Sequence, residues 1–398
     1  MPDVRFENLL IICVLAVIAP LVIGFAPRLR IPAVVLEIVA GVIVGPSVLG
    51  WVRVDLPVQI LALIGLAFLL FLSGLEIDVR QIGGVTLRKS VLAYLTTLAL
   101  GIGFGIAFSA AGVVRSPLLV AITLSATSLG LVIPVLKDAR ALDGAVGRTT
   151  VSAATVADFS AIVLLSLLFS SSGGSTGTKV ALLVAFVVLV TVTAVVLGRA
   201  SRSMSLGDVL DRLQDTTAQI RVRLAVALLI AFVALAERFG LESILGAFMA
   251  GAVVSLVDRD STSHPSFRLK LEAIGFGFLV PVFFVSSGVR LDLHGLVEQP
   301  SAFLRVPLFF VALLVVRGLP ALWFAAALGR RHTMAVALLQ ATSLPFIVTA
   351  SQIGVLTGRI TSITATALVC AGLLSVLLFP SVALSLLKNA DDVEPATA

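Results

Sequence analysis

Charge is scarce in this sequence. Of 398 residues only 13% are Asp, Glu, Lys or Arg, against roughly 25% in an average soluble domain. That leaves too little polar surface to clothe a water-soluble globule of this length. Cysteine is scarce too. Cys13 and Cys370 both lie within apolar runs, which excludes a disulfide framework and a thiolate metal site. The three histidines, His264, His294 and His332, fall in loops and form no metal-ligand cluster. No His/Glu zinc motif and no Ser-His pair occurs inside an apolar run, so an intramembrane enzyme is not expected. The N-terminus MPDVRFEN lacks the basic start of a cleavable signal. Only ten residues follow Lys388, so no regulatory domain is expected there.

Apolar residues are abundant instead, at 59%. The mean hydropathy is +1.15. Runs of about 20 apolar residues, the length that spans a bilayer as helix, recur throughout. We predict an all-α polytopic membrane protein with about thirteen segments: 7–25, 31–49, 57–76, 89–112, 116–136, 149–171, 179–198, 222–238, 241–257, 270–288, 303–329, 333–353 and 360–387. The net charge of +6 does not point to nucleic acid, because the basic residues sit in short loops without aromatic company.

Those basic residues orient the chain. With the N-terminus outside, 19 Lys and Arg fall in inside loops and 8 outside, and Arg317 alone is left in mid-span. This satisfies the positive-inside rule and puts the C-terminus in the cytoplasm. The longest loop, 199–221, is then cytoplasmic.

Two short matches suggest duplicated halves. SGLEID at 73–78 recurs as SGVRLD at 287–292, and ATSL at 126–129 recurs at 341–344, with offsets of 214 and 215. Paired segments lie seven apart, an odd number, so they cross in opposite directions. That is an inverted-topology repeat. Each ATSL lies in mid-segment near helix breakers, Gly130 and Pro134 in one copy and Pro345 in the other. Interrupted helices at matching places in two halves point to a transporter binding site.

Asp158 is the deepest acid. An ionised, unpaired carboxylate at mid-helix costs about 2.5–3.5 kcal/mol on insertion scales, and such residues mark ion and proton pathways. Arg317, twelve residues from Arg305 and thirteen from Arg330, lies at similar depth and invites pairing with Asp158, or mutual steering through one water-filled cavity. Burial opposes ionisation of the acid and a nearby guanidinium favours it. A guanidinium stays charged, so a transported proton must ride on Asp158 or on another acid such as Glu37, the candidate accessory group. The expected cargo is a monovalent cation, Na+ or K+, exchanged for H+, with no cofactor. A cation channel or uniporter would also use a carboxylate-lined path, and an organic-anion symporter would also use broken helices.

PAVVLEIVAGVIVGPSVLGW (32–51), LLFLSGLEID (69–78), SATSLGLVIPVLKD (125–138), the Asp158 segment, LGAFMAGAVVS (245–255) and PVFFVSSGVRLDL (281–293) stand in one order along nearly the whole chain. In this the sequence resembles the bacterial monovalent cation/proton antiporters of the sodium/proton exchanger superfamily, in their Kef-like branch. The resemblance implies two broken, crossing helices and a homodimer in the bacterial inner membrane. It implies a dimerisation part, 7–88 and 222–300, and an ion-transporting core, 89–171 and 303–387. Residues 179–221 would form a linker helix and cytoplasmic loop. It assigns the essential acid to Asp158, the core basic residue to Arg317, and the cation-lining positions to Thr127 and Ser128. Asp158 and Thr127 would be metal ligands and Ser343 a candidate accessory. Two features depart from the family. Ala157 stands where electrogenic relatives carry a second acid, and TSLPF at 342–346 replaces a Gly-Glu-Phe common in Kef-type relatives. A nucleotide-binding domain of Kef type is not expected.

Overall fold

The computed structural model describes residues 5–25, 32–76, 84–138, 140–169, 176–200, 219–257 and 265–391. Most of the predicted cytoplasmic loop, 201–218, and Asp78 lie outside the described residues. Among the described residues the regular structure is entirely helical. Each predicted segment overlaps helix among the described residues. Eight helical stretches are long and apolar enough to cross a membrane, and one of them, Pro300–Leu356, holds two predicted segments. Ala33–Val44, Pro117–Ile133 and Ser243–Val257 are shorter apolar helices.

The chain divides into two compact units. The first comprises Met1–Cys13, Asp55–Val79 and Ile162–Phe284. Its helices are α3 (Leu56–Leu75), α8 (Thr176–Ala200), α9 (Ile220–Arg238), α10 (Ser243–Val257) and α11 (Pro265–Ile274). Asp55 caps α3, its carboxylate accepting from Val58 N–H (3.2 Å) and from Asn8 Nδ2 (2.8 Å). Glycines let α3 and α10 pack backbone to backbone. A Cβ on Gly251 would sit 1.9 Å from Phe71 O, and one on Gly74 would sit 2.1 Å from Phe248 O. With lipid competing for apolar surface, helices associate through such close packing rather than through hydrophobicity. Along α8, Val184, Val188, Val192 and Val196 form an i, i+4 stripe with each side chain more than half exposed. A face so apolar suits hydrocarbon and not water.

The second unit comprises Val14–Val54, Arg80–Ala161 and Val285–Ala398. It holds α2 (Ala33–Val44), α4 (Gly84–Ala110), α5 (Pro117–Ser125) and α6 (Leu129–Asp138). The larger part of α7 (Ala145–Phe169) belongs here, as does the end of α12 (Val280–Val289), which continues α11 through a π-helical turn at Gly275–Leu279. After two short helices, α13 (Leu293–Glu298) and α14 (Pro300–Phe303), come α15 (Arg305–Gly318), α16 (Ala325–Ala341), α17 (Pro345–Leu356) and α18 (Ser362–Asp391). Gly41 and Gly288 let α2 meet the end of α12 as closely as in the first unit, with Cβ positions 2.0 Å from Val285 O and 2.1 Å from Ile38 O. Val132, Leu136, Val336 and Leu339 share one buried cluster, which ties α6 to α16.

Two helices are interrupted, as the repeated ATSL predicts, but the breakers differ from expectation. Gly130 and Pro134 lie inside α6. The first break is Ala126–Ser128 itself, and the second is Thr342–Leu344. The second is displaced by one residue within the repeat because Pro345 occupies the start of α17, where its missing N–H costs nothing. Arg317 sits within the predicted segment 303–329, one residue from the end of α15, where a 3₁₀ stretch, Leu319–Phe324, takes over. Pro320 cannot donate to the carbonyl four residues back, which favours the change of winding.

Gly251→Val tests the close approach. Overpacking of this kind costs about 1–3 kcal/mol. The thermal unfolding midpoint in detergent is expected to fall, and an unchanged midpoint would contradict the α3–α10 packing.

Candidate ion-binding site

All the groups that form the site belong to the second unit. Asp158 lies near the middle of α7, 13 residues from Ala145 and 11 from Phe169. It is 7% exposed. Its Oδ1 accepts a hydrogen bond from the backbone N–H of Thr127 at 2.9 Å. That N–H is free to bond sideways because Thr127 lies in the unwound stretch after α5. An unwound backbone inside an apolar protein needs such partners, since no water or lipid can supply them. Here the break supplies the donor and the acid supplies the acceptor.

The two breaks also satisfy each other. Ser128 N–H donates to Thr342 O at 3.1 Å. Leu344 N–H donates to Ser128 Oγ at 3.1 Å. Ser128 therefore both donates to and accepts from the opposite break. Ser343 is anchored to α18: its N–H donates to Ser375 Oγ at 3.2 Å, and that hydroxyl lies 3.1 Å from Ser343 O. The Ser343 hydroxyl itself is buried without a hydrogen-bond partner, as is that of Thr150 on α7.

The expected Asp158–Arg317 pair is not formed. Among the described residues no ion pair joins them. Arg317, 4% exposed, donates through Nη2 to Thr127 Oγ1 and to Gln340 Oε1, through Nε to Gln340 O (3.3 Å), and through Nη1 to Thr97 Oγ1 (3.4 Å). The link from base to acid thus runs through Thr127, whose hydroxyl takes the guanidinium and whose backbone N–H takes the carboxylate. The physical reason is the helix end. Arg317 lies where α15 gives way to the 3₁₀ turn, and the last residues of α16 present neutral acceptors to it.

The structure gathers Asp158, Thr127, Ser128 and Arg317, with Ser343 on the facing break. Glu37 is buried on α2 at 5% exposure, and among the described residues no hydrogen bond or ion pair joins it to the cluster. Gln340 was missed in the sequence. Its Nε2 donates to Thr150 O at 2.7 Å, and its own carbonyl accepts from Thr127 Oγ1 at 2.8 Å. A polar side chain of this size immediately before the second ATSL was the available signal. Tyr94, whose OH lies 3.3 Å from Ser125 Oγ, was missed as well.

Chemically the cluster offers one carboxylate, several hydroxyl and carbonyl oxygens, and one fixed positive charge. Hard oxygen ligands of this kind suit a small, hard cation.

The family described as the transmembrane sodium/hydrogen exchangers matches residues 13–388. The chain belongs to that family. It is therefore a multi-pass membrane protein of a transporter family, not an enzyme. It is 30% identical over 369 residues to a putative Na+/H+ antiporter of Bacillus subtilis, covering 89% of this chain and 58% of that protein. It is 30% identical over 301 residues to a Na+/H+ antiporter of Enterococcus hirae, covering 73% and 74%. The chain thus spans less than two thirds of the Bacillus relative. Among solved structures, the sodium proton antiporter MjNhaP1 of Methanocaldococcus jannaschii superposes with a TM-score of 0.65 at 19% identity, over 93% of this chain and 98% of that one. The exchanger fold is shared.

Ser128→Ala tests the link between the breaks. It strands the buried Leu344 N–H, a loss of about 1–3 kcal/mol. A lower unfolding midpoint is expected, and one equal to the wild type would contradict the contact.

Proposed function

We propose that this chain exchanges a monovalent cation, Na+ or K+, for H+ across a bacterial inner membrane by alternating access. The observation that carries the reading is the buried Asp158 carboxylate, held by the free N–H of a broken helix in a chain of the exchanger family. The names of its relatives support the same exchange.

In this reading Asp158 binds the cation or the proton, never both. Ionised, it ligates the metal ion with help from Thr127 and from neighbouring oxygens. Protonated, it is neutral and the ion leaves. The buried, unpartnered hydroxyls of Ser343 and Thr150 are further oxygens within the same unit that a cation or water would satisfy. Ser128 holds the breaks together and so fixes the carbonyls and N–H groups around the acid. Arg317 supplies a permanent positive charge that makes ionisation of Asp158 tolerable between occupants. Glu37 is an accessory acid. Ala157 leaves one acid at the site, so one proton moves per cation and the exchange is electroneutral.

The protein works as a homodimer, with 7–88 and 222–300 as the dimerisation part and 89–171 and 303–387 as the moving core. Its N-terminus faces outward and its C-terminus the cytoplasm.

Reconstituted in liposomes, the wild type is expected to move protons when a Na+ or K+ gradient is imposed, at a rate indifferent to a clamped potential. Asp158→Asn is expected to reduce that exchange to the level of protein-free liposomes. Retained exchange in the variant would remove Asp158 from its role, a strong response to potential would rule out neutral stoichiometry, and cation flux without proton flux would favour a channel.

A further inference from the structure

The Arg317 guanidinium is buried, permanently charged and close enough to share Thr127 with Asp158, yet it does not contact that carboxylate. Left to itself, a buried guanidinium seeks a carboxylate, since charge-assisted bidentate pairing is the strongest arrangement open to it. Something holds it back. Two of its four acceptors belong to Gln340, the backbone O and the side-chain Oε1. The amide is itself fixed, because Nε2 donates to Thr150 O at 2.7 Å. With the amide nitrogen committed to a carbonyl, the amide oxygen must face the guanidinium, which can only donate. Thr150 stands eight residues before Asp158 on α7, roughly 12 Å along the helix at 1.5 Å per residue. Gln340 is thus strapped to the same helix that carries the acid.

We propose that Gln340 is a positioning residue that keeps the Arg317 guanidinium off Asp158, so that a cation need not displace it from the carboxylate. A neutral amide suits the task. It engages the guanidinium N–H groups without neutralising the charge, so Arg317 still acts on Asp158 through space without taking a place on its oxygens. A carboxylate at position 340 would cancel that charge. An apolar side chain would release the guanidinium. Among the described residues, Asp158 on α7, Arg317 on α15 and Tyr94 on α4 are the titratable groups in electrostatic reach of one another here. The breaks and α16 contribute hydroxyl, amide and backbone groups to the network.

The inference rests on the antiport reading, and two variants of the full chain in liposomes test it across cation concentration and pH. Gln340→Leu lets the guanidinium settle on Asp158. The cation must then displace it, so the KM for Na+ or K+ is expected to rise about tenfold. A guanidinium in contact also favours the ionised acid, so the pH of half-maximal exchange should move down by about one unit. Gln340→Glu is nearly isosteric; it gives up the bond to Thr150 O but holds the guanidinium by a charged acceptor while cancelling its charge. KM should stay within about threefold of the wild type, and the pH of half-maximal exchange should move up. A purely structural role would lower the rate of both variants without opposite pH shifts. Wild-type KM and pH profile in Gln340→Leu would overturn the inference. If that variant does not fold, an acid shift or a tenfold rise in KM in Gln340→Glu would do the same. A wild type that exchanges no protons for cations would sink the antiport reading and this inference with it.

Discussion

The hydrogen bond from Thr127 N–H to the Asp158 carboxylate joins two costs so that each offsets the other. A break in a membrane helix leaves backbone groups that hydrocarbon cannot satisfy. A buried acid leaves oxygens that hydrocarbon cannot solvate. Either alone would be strongly unfavourable. Brought together, the broken α5–α6 helix and the acid of α7 are mutually required, and the second break completes the set through Ser128, Thr342 and Leu344. The Ser343 hydroxyl remains without a protein partner.

The rest of the second unit serves this arrangement. The buried cluster of Val132, Leu136, Val336 and Leu339 fixes α6 against α16, and so fixes where the two breaks meet. Glycine spacing sets how closely α2 approaches the end of α12. Arg317 is brought in at a helix end, where the 3₁₀ turn at Leu319–Phe324 lets the guanidinium reach neutral acceptors instead of the acid. The result keeps positive charge nearby without an ion pair on the carboxylate.

Much of this was legible in the residues. Long apolar runs gave the helices because a bilayer admits little else, and α1 (Glu7–Phe25) covers its run. The repeated ATSL located both breaks to within a residue, because it recurs at one offset with helix breakers beside it; a lone mid-span hydroxyl, such as that of Thr97, donates back to its own helix. Asp158 was legible for the same reason, as a costly group in an apolar run. The partner of Arg317 was not legible. Matching depth along two helices says nothing about how they are rotated, and rotation decided that Gln340 and Thr127, not Asp158, receive the guanidinium. The breakers were misplaced because Gly and Pro tolerate several positions near a helix end, and Pro345 settles its own break only through its missing N–H. Gln340 itself was visible as a polar residue beside a break, but its role depends on contacts 190 residues away at Thr150.

The central claim is that one carboxylate holds a metal ion or a proton in turn. Proton release on cation binding tests it most directly. Purified protein in weakly buffered detergent, at a pH where exchange is half-maximal, should release protons when Na+ or K+ is added. Asp158→Asn should release none under the same conditions. Saturable cation binding by the wild type with no proton released would contradict the account.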